Sequence, residues 1–171
     1  IKYKELLEKI RTDYKKAYDV IQLKHTTPYQ KSLDYYDALY AIYKDKDVPA
    51  YLERMKRYLA SLGEDANGAD YASAAQSLYY AAASKLRPED HRQAIAWLEK
   101  AIPGETVLMN KINYLVMVGD SYKELKDYAS ARKYYNQAYA ESLQLASMEQ
   151  AQQVVQASVT YKLATLELLE K

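Results

Sequence analysis

Leu115-Val116-Met117-Val118-Gly119-Asp120-Ser121-Tyr122, followed by Ala131-Arg132-Lys133-Tyr134-Tyr135-Asn136-Gln137-Ala138, is the stretch whose reading decides the fold. Helical periodicity runs through both segments, and Gly119 sits inside the first. A glycine within a helix costs about 1 kcal/mol relative to alanine. Its presence between Val118 and Asp120 therefore predicts a second helix packed closely against that point, with Ala131, Tyr135 and Ala138 on the facing side. The two segments form an antiparallel pair of helices, expected near 107–125 and 128–144 and joined by a short connection.

A weaker copy lies upstream. Leu78-x2-Ala81-Ala82 precedes Ala94-x3-Leu98-x2-Ala101, and Ala82 stands to Ala94 as Gly119 does to Ala131, twelve positions apart. The copies are offset by 37 residues, with Pro103-Gly104 placed to absorb extra length. Residues 29–62 have the length and the two helix-like halves of a third copy. Arg54 and Arg57 fall where that copy's packing residues belong, which makes it degenerate.

The spacing of small and aromatic residues in 112–145, and more loosely in 75–108, resembles the tetratricopeptide repeat. The resemblance implies an all-α fold, with antiparallel helix pairs stacked as a short right-handed superhelix, an α-solenoid of about eight helices. It implies one domain over residues 1–171, with repeats at 75–108 and 112–145, the degenerate copy at 29–62 and a capping helix at 147–171. In that family the first helix of each pair lines a concave groove. By offset, the groove here comprises Tyr35, Leu39, Tyr79, Ala83, Asn113, Val116, Asp120 and Lys123. Members that bind chaperone tails clamp a terminal carboxylate with Lys, Arg and Asn. Tyr79, Ala83, Val116 and Asp120 occupy the corresponding places here, which points instead to an apolar or aromatic anchor in a protein or peptide partner.

The remaining sequence fits eight helices near 1–24, 29–44, 48–62, 70–86, 89–101, 107–125, 128–144 and 147–170. Pro28, Pro49, Pro88, Pro103, Gly63, Gly68 and Gly104 all fall between periodic segments, where helices start or stop. Thr27-Pro28-Tyr29-Gln30 has the form of a cap with proline at the first helical position. Asp47, Glu89 and Asp90 place negative charge at helix starts, where the dipole favours it. On the first helix Leu6, Leu7, Ile10, Tyr14, Ala17 and Ile21 form one stripe. On the last, Met148, Ala151, Val155, Ser158, Tyr161 and Leu168 are expected on the buried face.

Twenty tyrosines and no phenylalanine occur among 171 residues. A tyrosine fills core volume, but its hydroxyl needs water or a partner, so this skew suits a thin structure whose aromatic tips reach the surface. Tyr14, Tyr58, Tyr122 and Tyr135 fall on helix stripes and are expected to pack inward.

Signals for chemistry are sparse. With no cysteine, thiol nucleophiles, disulfides and cysteine-based zinc sites are excluded. His25 and His91 lie near helix boundaries, where exposed turn positions are expected, and neither belongs to a metal-binding spacing. The loop Gly63-Glu64-Asp65-Ala66-Asn67-Gly68 is too acidic for phosphate. The pairs Asp34 with Asp37 and Asp45 with Asp47 fit caps or solvated faces. A net charge of +1, with Arg54-Met55-Lys56-Arg57 and Lys15-Lys16 as the densest basic runs, argues against nucleic acid. No apolar run approaches the roughly 18 residues of a membrane span. The expectation is a non-catalytic scaffold without metal or cofactor.

The alternative is a structural segment of a larger exported or cell-envelope protein. Ala94-Ile95-Ala96-Trp97-Leu98-Glu99-Lys100-Ala101-Ile102, followed by the Gly119 pair, is similar to helical extensions attached to thioredoxin-like proteins of some bacteria. Beginning at Ile1 and not Met, the chain is expected to be a processed or excised segment, compatible with an exported bacterial protein.

Overall fold

The structure is a computed structural model that describes the backbone of residues 2–21, 27–82 and 85–171, and the side chains of 3–16, 31–82 and 85–171. Among the described residues it contains eight α-helices and no strand. They are α1 (Lys2–Ile21), α2 (Thr27–Tyr40), α3 (Val48–Leu62), α4 (Gly68–Ala82), α5 (Pro88–Ala101), α6 (Leu108–Glu124), α7 (Tyr128–Ser142) and α8 (Glu149–Leu169). The fold is all-α, and neighbouring helices pack as expected of a helical repeat arrangement. The chain divides into two compact units, Ile1–Leu86 and Arg87–Lys171. That boundary falls inside the expected 75–108 copy, whereas the expected 29–62 and 112–145 copies each lie within one unit.

In the first unit α2 packs against both α1 and α3, and α3 against α4. Leu7, Ala38, Leu39, Ile42, Tyr51, Met55, Leu59, Ala75 and Leu78 are buried. The arginines that break the repeat pattern have a definite use. Arg54 Nη1 donates to the Asp37 carbonyl at 2.9 Å, and Arg57 pairs with the buried Asp34 at 2.9 Å. The α2–α3 seam is thus held by arginines reaching across, where small residues would have allowed a closer approach. Asp47 caps α3, its Oδ1 accepting from the Ala50 amide at 2.9 Å. The Thr27-Pro28-Tyr29-Gln30 cap, together with Ala17, Ile21 and His25, lies outside the described side chains. Of the expected α1 stripe, Leu7 is buried, Ile10 and Tyr14 are half-buried, and Leu6 is exposed.

In the second unit α6 and α7 form an antiparallel pair, with α5 against α6 and α8 against α7. Ile112, Leu115, Ala131, Tyr135, Ala138, Leu145, Val155, Val159 and Leu166 make its core. Gly119 faces the Tyr135 ring. A Cβ at Gly119 would lie 2.6 Å from Tyr135 Cδ1 and closer still to Cε1, so the absent side chain makes room for that ring. The buried face of α8 is Val155, Val159 and Leu166, with Leu163 half-buried. This corrects the expected stripe: Met148, Tyr161 and Leu168 are exposed.

The tyrosines divide as their hydroxyls require. Tyr51 and Tyr135 are fully buried, and each hydroxyl donates a 2.6 Å hydrogen bond, to the Ala74 carbonyl and to Asp120 Oδ1 respectively. Tyr14, Tyr58 and Tyr122 are half-buried. No helix among the described residues is long and apolar enough to cross a membrane.

Candidate functional site

The residues expected to line a groove fall in both units. In the first, Tyr35 is half-buried and its ring lies tilted against Tyr58 of α3, centroids 5.0 Å apart and planes at 49°. Tyr79 is half-buried against Tyr80, ring centroids 5.8 Å apart. Leu39 is a core residue, 6 % exposed, and offers a partner almost no surface, which corrects its assignment to the groove. Ala83 lies outside the described residues.

In the second unit Asn113, Val116, Asp120 and Lys123 follow one another along α6. Asn113 is exposed, whereas Val116 is half-buried against the core cluster. Asp120 is already engaged: its Oδ1 accepts from the Tyr135 hydroxyl and from Lys162 Nζ, both at 2.6 Å. Lys162 belongs to α8, so α8 reaches the face of α6 on which the groove was expected, and Asp120 joins α6, α7 and α8. Lys123 pairs with Glu124 at 3.3 Å. Asp120 is therefore a structural joint and not a free ligand-binding carboxylate.

A concavity of about 370 Å³ lies elsewhere in this unit, bounded by Arg92, Ile95, Ala96 and Glu99 of α5, Tyr122 of α6, and Leu125 and Asp127 of the α6–α7 corner. The four α5 residues recur at i, i+3, i+4 and i+7, one face of a helix. The corner is set by a turn in which Lys126 has φ +60°, with Asp127 N donating to the Tyr122 carbonyl at 3.0 Å. Asp127 then caps α7, its Oδ1 accepting from the Ser130 amide at 3.1 Å. Hydrogen bonds from Ser130 hold the Asp127 carboxyl below its ordinary range.

Tyr122 lies nearly parallel to Tyr134, with centroids 5.6 Å apart and planes 20° from parallel. Tyr134 donates to Glu99 Oε1 at 2.6 Å. Burial, then the nearby charges of Glu99 and Asp127, push the Tyr122 phenol above its usual value. The concavity thus combines apolar surface from Ala96, Leu125 and the Tyr122 ring, Ile95 being nearly buried, with two carboxylates and an exposed arginine. Pockets of roughly this size accept a single large side chain or a small ligand. None of these residues stands out as a site in the sequence, because three elements contribute and their offsets form no motif. The mixed apolar and charged face of α5 was the one available signal.

A second hollow, about 310 Å³, is lined by Ile102, Lys111, Leu115, Gln137, Ala140 and Glu141. Lys111 and Glu141 close on each other there at 2.6 Å. No group of three or more metal-ligating side chains comes together among the described residues. His91 is not an exposed turn residue: it is buried on α5, and its Nδ1 has no hydrogen-bond partner.

No protein-family model, curated protein or solved structure matches this chain.

Proposed function

We propose that the chain is a non-catalytic, tetratricopeptide-like scaffold that binds a protein or peptide, with an apolar or aromatic side chain of the partner seated between α5 and the α6–α7 corner. The concavity bounded by Ile95, Ala96, Tyr122 and Leu125 carries this reading. Its apolar floor suits an anchor side chain, and the surrounding charges suit the polar backbone and flanks of an extended segment. The Gly119–Tyr135 contact supports the family resemblance, since it is the close helix approach that the spacing predicted.

Ala96 is exposed, so Ala96→Arg fills the concavity without disturbing the core. Peptide display against the chain should enrich a motif containing a large apolar residue, and Ala96→Arg should abolish that enrichment while leaving the melting temperature unchanged. Enrichment that survives on the variant would move the site elsewhere. No enrichment on either protein would favour a helical segment that packs within a larger assembly.

A further inference from the structure

The outer face of α8 is apolar where the exposed side of an amphipathic helix is ordinarily polar. Here Val154, Tyr161 and Leu168 are 69 %, 75 % and 71 % exposed. Ala157 and Ala164 are also exposed. These five residues recur at alternating spacings of three and four, the seam along which two helices pair. The opposite side of α8 is already committed, through Val155, Val159 and Leu166 to the core and through Lys162 to Asp120. The seam therefore cannot rotate inward.

Charge is nearly absent from it. From Gln150 to Tyr161 the helix has no charged residue, and the positions flanking the seam are Gln153, Ser158, Thr160, Thr165 and a lone Glu167. A surface helix ordinarily carries charge at about a quarter or more of its positions, whereas interface cores are depleted of it.

We infer that this face pairs with a second copy of the chain, α8 against α8, antiparallel, about a twofold axis near Tyr161. The order of the seam is what selects a second copy. A twofold interface must be self-complementary, residue i meeting j and j meeting i. Val154 and Leu168 stand seven residues to either side of Tyr161, and Ala157 and Ala164 stand four and three to either side. Antiparallel pairing thus sets Val154 against Leu168 of the other copy and alanine against alanine, with the two tyrosine rings packing side by side at the centre. A parallel pair would gather both Glu167 side chains at one end.

One helix per copy makes a small interface, at the weak end of specific association. The full 171-residue chain should show a mass moving from monomer to dimer with concentration in sedimentation velocity. Tyr161→Lys, at an exposed position, should weaken dimerisation about tenfold or more with its melt unchanged at low concentration.

Because the chain has no cysteine, Ala157→Cys and Ala164→Cys report the geometry directly. A disulfide needs Cα atoms within about 7 Å. In the antiparallel pair each cysteine lies roughly 9–12 Å along the axis from its own copy, so each variant alone should stay uncrosslinked while an oxidised mixture of the two forms a covalent dimer. A monomeric mass at every concentration would overturn the inference, as would a dimer indifferent to Tyr161→Lys. Self-crosslinking of either variant alone would overturn the antiparallel geometry.

Discussion

Gly119 is the residue on which the α6–α7 pair turns. In an isolated helix its replacement by alanine would add about 1 kcal/mol of propensity. In this chain the added Cβ collides with Tyr135, a fully buried ring that is also tied by its hydroxyl to Asp120. The ring has no room to yield without breaking that hydrogen bond or shifting α7. Overpacking of this kind typically costs about 1–3 kcal/mol, which exceeds the gain in propensity. Gly119→Leu is therefore expected to destabilise by at least that amount, and Gly119→Ala by less but in the same direction. Thermal melts of the two variants measure this. Unchanged melting temperatures would mean that the helices are free to separate and that the close approach is not a constraint on the fold.

At the scale of the element, α5 joins a cap to a buried titrating group. Asp90 is 1 % exposed and accepts from the Arg87 amide at 2.9 Å and from its guanidinium at 3.2 Å, fixing the helix start. His91 follows it into the interior. Burial lowers the His91 pKa from its ordinary 6.5, opposed by the weaker attraction of Glu124 and Asp90. A depressed folded-state value means that the unfolded chain takes up the proton first as pH falls. The resulting stability is fully present above pH 6.5, declines as pH falls below it and levels off beneath the folded pKa. Chemical unfolding of the wild type should show this loss, and His91→Gln should flatten it. An identical pH profile in both proteins would show that His91 is solvated in the folded state.

Much of this element-level order was legible in advance. Pro49, Pro88, Gly63 and the Asp caps mark helix ends through local chemistry, and those ends appear within a few residues of expectation. The orientation of α8 was not legible. Apolar residues lie around most of its circumference, so periodicity allowed two faces; the one that packs carries Val155, Val159 and Leu166, beside Lys162 meeting Asp120 across 42 positions. Long-range ion pairs leave no local signature. The concavity was hidden for the same reason: Ala96, Tyr122 and Asp127 become neighbours only after three elements pack. His91 was misplaced because proximity to a helix start says nothing about which side of the helix faces inward.

For the whole molecule, the division at residue 86 bears on how the chain unfolds. One core cluster of the second unit is drawn from residues 112–166, and the ion pairs Arg11 with Asp37, Arg57 with Asp34 and Lys44 with Glu8 of the first close within residues 8–57. Each unit therefore has stabilising contacts of its own. Trp97, the sole tryptophan, is 4 % exposed on α5, so its fluorescence follows the second unit, while far-UV circular dichroism follows helices in both. Coincidence of such probes is the test of a single cooperative transition. In Gly119→Leu the lesion is confined to the second unit. Its Trp97 midpoint should fall below the circular-dichroism midpoint, with the first unit melting later near its wild-type temperature. If the two probes instead shift together by the same amount, the units unfold as one, and destabilisation at Gly119 is transmitted across residue 86 to the helices of the first.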